Sequence, residues 1–241
     1  MLADQIARWI AGRVSAARAR GIVVGLSGGV DSAVVAVLAQ RAVGKNVLGL
    51  LMPCHSQPVD GEYARLLADT FDIETITVDL SLVYDALIAA LPPGSDLARA
   101  NLKPRLRMAT LYFIANTRNY LVAGTGNKSE IMVGYFTKWG DGGCDLLPLG
   151  GLFKTQVWDL AGELGIPEQI ISRPPTAGLW PDQTDEGEMG ITYAELDATL
   201  QAIERGDTSS CEPTTLAKVQ GMIARSAHKR ALPPIFMHPI V

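Results

Sequence analysis

The chain has 241 residues, 48% of them hydrophobic and 19% charged, so it can bury a sizeable core, which argues against global disorder. Its formal net charge of −4 at pH 7 argues against a nucleic-acid partner, which a basic face would favour. No apolar run reaches the roughly 18 residues of a membrane span. The three cysteines lack a CxxC pair and fit a reduced compartment, so we expect a cytoplasmic protein with no membrane partner.

The predicted elements alternate between helices and strands. An amphipathic helix opens the chain at Leu2 and ends by Gly21. Strands are expected at 22–27, 46–53, 73–80 and 120–125, and helices at 31–43, 60–71, 82–91, 102–119, 127–136, 155–165, 193–206 and about 214–229. This alternation predicts an α/β fold in which one domain, residues 1–241, holds a parallel sheet flanked by helices. Ligands of such sheets bind beyond the carboxyl ends of the strands.

The loop after the first strand reads SGGVDS, residues 27–32. It precedes a helix N-terminus, where N–H groups are unpaired, and its glycines allow a ligand to approach the backbone. The loop lacks the lysine of a Walker A motif and the spacing of G-x-G-x-x-G. A carboxylate in a phosphate site repels its ligand unless a cation lies between them, so Asp31 predicts Mg²⁺.

These residues resemble a known family. SGGVDS is similar to the loop of the PP-loop ATP pyrophosphatases, which cleave ATP to AMP and pyrophosphate. Residues 124–167 closely resemble the central block of ammonia-dependent NAD synthetases, and the resemblance continues at 173–197, in HKR at 228–230 and in NLKPRLRMATLY at 101–112. It covers nearly the whole chain and implies an adenine nucleotide alpha hydrolase-like (PP-loop) fold.

The resemblance implies an ATP site with Mg²⁺ held by Asp31 and Glu130. Without the resemblance, Glu130 would be interpreted as an ordinary acidic residue in the first turn of a helix. A lysine at a helix N-terminus is unfavourable, and a bound phosphate would explain Lys154. Ser27, Asp31 and Lys154 are the implied catalytic residues. The implied ATP contacts are Gly25, Leu26, Ser27, Gly28, Gly29, Val30, Asp31, Ser32, Thr125, Lys154 and Thr176.

The resemblance also implies contacts to deamido-NAD. Arg105 lies on the helix at 102–119, where an exposed salt bridge is an equally good explanation, and Arg107 faces elsewhere on that helix. A solvated basic cluster is the ordinary interpretation of His228 and Lys229. The implied deamido-NAD contacts are Arg105, Lys138, Asp145, His228 and Lys229. The histidines His55, His228 and His238 have no metal-ligand spacing.

The implied reaction is amidation of deamido-NAD by ammonia, with ATP as co-substrate, through an acyl-adenylate; it would be the last step of NAD biosynthesis. Free ammonia is the expected donor, because the SGGVDS loop begins at residue 27 and leaves no room before it for a glutaminase domain. A separate glutaminase subunit stays open. The alternatives are another PP-loop synthetase subunit, similar to GMP synthetase, or a tRNA-modifying protein. Family members are homodimers, so a homodimer is expected.

One segment is expected to move. Residues 178–190, GLWPDQTDEGEMG, are acidic and glycine-bearing, and they predict a mobile lid that orders over substrate and sheds water.

Overall fold

A computed structural model describes residues 1–180 and 183–236 of the chain. Its parallel sheet has the strand order β3-β2-β1-β4, so the first strand lies in the interior of the sheet. Val23 at its centre pairs with Leu48 on one side and with Val122 on the other. The strands are β1 (Gly21–Gly25), β2 (Val47–Leu51), β3 (Glu74–Thr77) and β4 (Tyr120–Ala123).

Helices flank this sheet and extend beyond it. Their bounds are α1 (Leu2–Ala16), α2 (Val30–Val43), α3 (Pro58–Phe71), α4 (Ser81–Ala90), α5 (Asp96–Ala100), α6 (Leu102–Arg118), α7 (Lys128–Val133), α8 (Lys154–Leu164), α9 (Glu168–Ile171), α10 (Asp185–Met189), α11 (Tyr193–Arg205) and α12 (Pro213–Arg225), followed by a 3₁₀ turn at Ala227–Lys229. The α/β fold predicted from the sequence is confirmed. The short helices α5, α9 and α10 were not predicted, and the last predicted helix is broken at Ser226, whose hydroxyl donates to Met222 O at 2.7 Å.

Successive strand residues point to opposite sides of the sheet, and β1 and β2 are buried on both faces, whereas β3 at the edge is mostly exposed. Ile22 and Val24 pack against a cluster that includes residues of α1, α2 and α8. Val23 and Leu48 belong to a second cluster, against α6. Strands covered on both faces are accordingly rich in branched apolar residues, as expected of a parallel sheet.

A third cluster lies away from the sheet and joins α7, α11 and α12. Its centre is Tyr193, which is fully buried and whose ring meets that of Trp158 at an interplanar angle of 86°. This packing holds α7 and α8, which carry Glu130 and Lys154, beside the carboxyl ends of β1 and β4.

Two helices that contact each other, α4 and α6, expose apolar side chains. None of the residues of α4 is buried, and Leu82 is 82% exposed. Phe113, on the neighbouring helix α6, is 70% exposed. Within the described ranges, the helices include none that combines the length and the hydropathy needed to cross a bilayer.

Candidate active site

A cavity of about 660 Å³ opens at the carboxyl edge of the sheet. Its floor is the loop after β1, and one wall is formed by Met52 and Ser56, which follow β2. The opposite wall carries Thr125 and Lys154, and the segment 173–179 closes the remaining side. This is the edge at which parallel α/β sheets bind their ligands.

The hydroxyls of the 27–32 loop hold the loop itself in shape. The Ser32 hydroxyl donates to Gly29 O at 2.9 Å, and Ser32 Oγ accepts from Ser27 N at 3.3 Å. Gly29 N donates to Ser27 Oγ at 3.3 Å. Gly29 is the N-cap of α2 and has no side chain with which to cap that helix. The first N–H groups of α2 therefore face the cavity, as in an anion-binding helix terminus.

Gly28 makes the tight turn of this loop possible. Its φ of +78° is a conformation that favours glycine. A Cβ atom there would lie 2.5 Å from Asp60 O and 3.2 Å from Nη1 of Arg173. Asp60 and Arg173 form an ion pair, which ties the loop to α3 and to the wall at 173–179.

Lys154 is 1% exposed and lies between two carboxylates. Its Nζ forms an ion pair with Asp31 Oδ2 and lies 3.9 Å from Glu130 Oε1. The other Asp31 oxygen accepts from Nδ2 of Asn127 at 2.9 Å. Burial by itself lowers the pKa of Lys154, but the charges of Asp31 and Glu130 outweigh it, so the pKa is raised and the side chain stays an ammonium ion.

Glu130 has two roles. It completes a capping box at the start of α7, where Asn127 N donates to Glu130 Oε2 and Glu130 N donates to Asn127 Oδ1, each at 3.1 Å. Its other oxygen faces Lys154. Burial, together with the charge of Asp31, raises the pKa of Glu130 to about 8. Glu130 is thus an acidic residue in the first turn of α7, as its position in the sequence alone suggests, and its second oxygen is directed to the cavity residue Lys154.

A third carboxylate, Asp185, reaches this cluster from α10. The Tyr193 hydroxyl lies 3.1 Å from Asp185 Oδ2 and 3.2 Å from Glu130 Oε1. Tyr135 donates to the other Asp185 oxygen at 3.1 Å. Burial raises the pKa of Asp185. The segment 178–190, predicted as a lid, therefore contains the short helix α10 and contacts the site through Asp185. Pro181 and Asp182 of this segment lie outside the described residues.

Asp197 on α11 positions the start of α8. The N-cap residue of α8 is Phe153, whose side chain makes no capping hydrogen bond. Asp197, 1% exposed, instead accepts from Thr155 N at 2.9 Å and from the Ser129 hydroxyl. Ser129 Oγ in turn accepts from Lys154 N at 2.9 Å. One carboxylate therefore fixes the neighbours of both Lys154 and Glu130.

The donor set fits Mg²⁺ accompanied by phosphate. Asp31 and Glu130 both face the Lys154 ammonium, so they converge on a common cation position. Across residues 1–180 and 183–236, no group of three or more His, Cys, Asp or Glu side chains is arranged to hold a metal alone. One or two carboxylates completed by phosphate oxygens and water is the arrangement usual for Mg²⁺.

The residues expected to contact ATP are mostly brought together. Gly28 is not among the residues that line the cavity, and its positive φ shapes the turn of the loop. The positive charge of Lys154 is balanced by the carboxylates of Asp31 and Glu130. These two charges explain the unfavourable position of Lys154 at a helix N-terminus equally well as a bound phosphate does. Those that line the cavity are Gly25, Leu26, Ser27, Gly29, Val30, Asp31, Ser32, Thr125, Lys154 and Thr176.

The residues expected to contact deamido-NAD are divided among three places. Arg105 is exposed and its Nη2 donates to Lys138 O at 3.4 Å. Lys138 Nζ donates to His228 O, so these three form one cluster at the rim. Lys229 lines the cavity and donates to Gly134 O and Phe136 O at 2.8 and 2.7 Å. Burial lowers the pKa of Lys229.

Asp145 lies apart from that cluster. It accepts from the Tyr112 hydroxyl at 3.0 Å and from Val122 N at 2.7 Å, next to β4. Both carboxylate oxygens therefore have protein partners, although the residue is exposed.

Several residues in or beside the cavity were missed by sequence reasoning. Asp141 lines the cavity, where its Oδ1 accepts from Thr137 N at 2.9 Å. Arg107 also lines the cavity, whereas Arg105 on the same helix does not. Asn127 was detectable, since an N-x-x-E pattern before a helix is a capping box. Nothing in the polar segment around Asp185 distinguished it from a solvated loop.

A parallel sheet with a glycine- and serine-rich loop at the N-terminus of a helix, facing a buried lysine and two carboxylates, defines an α/β enzyme of the PP-loop, nucleotide-binding class. The family model for NAD synthase matches residues 2–233. The chain therefore belongs to the NAD synthase family.

Curated relatives support this membership over the full length. An NH3-dependent NAD+ synthetase of Carboxydothermus hydrogenoformans is 48% identical over 239 residues, covering 97% of this chain and 96% of that protein. The Archaeoglobus fulgidus enzyme of the same description is 48% identical over 235 residues, with 96% and 94% coverage.

Solved structures agree. The NMN synthetase of Francisella tularensis superposes with a TM-score of 0.90 at 38% identity, and 98% of each chain is covered. The NH3-dependent NAD synthetase of Campylobacter jejuni, in complex with a nitrate ion, gives a TM-score of 0.86 at 31% identity, again with 98% of each chain covered.

Proposed function

We propose that this protein is a ligase that uses ATP and ammonia to amidate deamido-NAD, giving NAD, AMP and pyrophosphate. The observation that carries this proposal is the convergence of Asp31, Glu130 and Lys154 beside the 27–32 loop, in a chain that is 48% identical to NH3-dependent NAD+ synthetases. The relatives supply the substrates, and the geometry supplies a site suited to phosphate release. Neither a GMP synthetase nor a tRNA-modifying function is favoured by these relatives.

The chain's own residues would act mainly by positioning and by neutralising charge. The pyridine carboxylate of deamido-NAD attacks the α-phosphorus of ATP, and pyrophosphate leaves onto the free N–H groups of α2. Lys154 lies beside that helix terminus and offsets the charge of the leaving group. Ammonia then attacks the acyl-adenylate carbonyl, and AMP leaves. Removing one such charged donor typically costs about 10²–10³ in rate.

Asp141 is suited to the second step. Its carboxylate lines the cavity and accepts from Thr137 N at 2.9 Å, so it is held where it can pair with an ammonium ion and accept its proton. We assign no covalent nucleophile, because the reaction joins two substrates directly.

We place Mg²⁺ on Asp31 and Glu130, where it would offset the negative charge of the ATP phosphates when bound. Asp31→Ala should remove most Mg²⁺-dependent turnover. A readout independent of turnover is the Mg²⁺-dependent change in melting temperature with ATP present, which Asp31→Ala should abolish and which Glu163→Gln, an exposed carboxylate on α8, should retain. A normal response of Asp31→Ala would remove the metal assignment.

We further propose that the rim cluster Arg105, Lys138 and His228, together with Lys229 and Asp145, binds the part of deamido-NAD that extends beyond the cavity. The Arg105 guanidinium and the Lys138 ammonium are held there by the backbone carbonyls of Lys138 and His228, and Lys229 connects the rim with the cavity.

We propose a homodimer in the cytoplasm. The apolar surface of Leu82 and Phe113 is of the kind that a second copy covers. The three cysteines are free, as in a reducing compartment. Light scattering should give the mass of two chains, and Leu82→Asp should shift it toward one.

The deciding experiment supplies ATP and Mg²⁺ with ammonia or with glutamine, and measures NAD, AMP and pyrophosphate. Deamido-NAD plus ammonia should give the three products in equal amounts. Nicotinate mononucleotide is included as an acceptor because the Francisella neighbour is described as an NMN synthetase. XMP is the acceptor for the GMP synthetase alternative. Faster turnover of either compound than of deamido-NAD would overturn the substrate assignment.

A further inference from the structure

Arg107 lies on α6 and lines the cavity. Its Nε donates to Met52 O at 3.1 Å, and its Nη2 donates to Ser56 Oγ at 3.2 Å. Through these bonds α6 holds the segment that follows β2. In the described ranges, no carboxylate oxygen lies within 4.0 Å of its guanidinium, so the cation has no protein counter-ion.

The bonds of Ser56 fix the direction of its hydroxyl. Ser56 Oγ accepts from Cys54 N at 3.2 Å as well as from Arg107. Both acceptor positions of the oxygen are thus used, and its own proton has no acceptor among the described residues. Since Ser56 lines the cavity, this hydroxyl is oriented to donate to a ligand.

Arg107 also has N–H donors that its bonds to Met52 and Ser56 do not use. Its Nη1 makes no hydrogen bond to a described residue. Every fully buried side-chain nitrogen or oxygen among the described residues has a hydrogen-bond partner, so Nη1 cannot be fully buried. Nη1 is therefore accessible, and the cavity is the space that Arg107 lines. Burial lowers the pKa of the guanidinium, as expected of a cation without a carboxylate beside it. Arg107 and Ser56 together present only donors, so the ligand atoms they meet must be acceptors.

The position of this pair points to the nucleoside rather than the phosphates. A Cβ at Gly25, just before the phosphate loop, would lie 3.2 Å from Met52 Cε and 3.9 Å from Leu111 Cδ1. These apolar side chains line the cavity and lead from the loop toward β2. A flat base fits an apolar slot with a few polar groups at its edge. On the β4 side the charged cluster of Lys154 occupies the cavity wall.

We propose that Arg107 and Ser56 are the donor pair that binds acceptor atoms of the adenosine part of ATP, with Arg107 also positioning Ser56. The inference rests on the proposed use of ATP and adds the residues that recognise its nucleoside. Arg107 thereby acts twice: by direct contact through Nη1, and by holding the segment from Met52 to Ser56.

Calorimetric titration of the full chain with AMP, ATP and tripolyphosphate tests this. Loss of a hydrogen bond to a charged donor predicts that Arg107→Met weakens AMP and ATP about 10- to 100-fold and leaves tripolyphosphate unchanged. Arg107→Lys should lose most of this affinity, since an ammonium cannot reproduce the guanidinium fork. The matched control is Arg118→Met on the same helix, whose guanidinium pairs with exposed Glu74; it should bind as wild type.

A second variant keeps the test informative if Arg107→Met folds poorly. Ser56→Ala removes one hydroxyl and should weaken AMP about 5-fold. The loss in the double variant should be smaller than the product of the two single losses, because Arg107 acts partly through Ser56. Equal weakening of tripolyphosphate, or unchanged AMP affinity in either single variant, would overturn the proposal. Wild type that binds no ATP would instead refute the proposed function.

Discussion

Asp197 offers a direct test of how the site is held in place. Asp197→Ala removes the acceptor of Thr155 N–H, which is partly buried, and of the Ser129 hydroxyl, which is fully buried. Each buried donor left without a partner costs about 1–3 kcal/mol, so the two together should destabilise the fold by about 4 kcal/mol. For a chain of this size that corresponds to a fall of ~8–16 °C in melting temperature. Asp197→Asn keeps one acceptor oxygen and should lose about half as much.

The same substitution should lower activity in the folded protein. Freed from Asp197, the start of α8 can shift, and with it Lys154, which Ser129 also holds through its backbone N–H. A displacement of about 1 Å in a positioning group can cost ~10²-fold in rate. We expect kcat for NAD formation to fall far more than the KM for deamido-NAD rises, measured well below the melting temperature.

A helix cap away from the cavity supplies the matched control. Thr192 caps α11, where its Oγ1 accepts from Glu195 N at 3.3 Å. Thr192→Ala should cost about 1 kcal/mol of stability and leave kcat unchanged. If Asp197→Ala melts within ~3 °C of wild type, or retains full kcat, the positioning role derived for Asp197 is wrong.

Three further predictions follow from particular contacts. Gly28→Ala should weaken ATP binding and lower stability, because the added Cβ would lie 2.5 Å from Asp60 O and the φ of +78° strains any residue but glycine. Gly12→Ala is the control for both the titration and the melting measurement, since its added Cβ would meet no atom within 4 Å. The pKa of Asp185 is raised in the folded state, so its stabilising contribution is complete below its ordinary value of 3.8 and is lost as pH rises through the folded value. Urea unfolding from pH 4 to 8 should therefore show wild type losing stability relative to Asp185→Asn as pH rises, and parallel curves would contradict this. ATP and deamido-NAD together should slow proteolysis within the predicted lid, and unchanged cleavage there would count against a lid.

The sequence alone determined those features that depend on near neighbours. The periodicity of apolar residues gave the four strands and most helices, because a buried face repeats with the local geometry of each element. The turn at Gly28 and the helix N-terminus after it also follow from adjacent residues. The capping pattern at Asn127 and Glu130 could be recognised in the same way. The roles proposed for the rim residues came from resemblance alone, and for Lys154 the only local signal was its unfavourable place at a helix N-terminus.

Only the tertiary structure decided which distant residues meet. The strand order β3-β2-β1-β4 places β4 beside β1, although about a hundred residues separate them, and so brings Asp31 to Lys154. Packing of α6 turned Arg107 toward the cavity and Arg105 away from it, a choice that helical spacing leaves open. Asp185 and Asp197 joined the site through helices that carry no signal of it. Such contacts depend on how whole elements pack, and periodicity within one element contains no information about its neighbours in space.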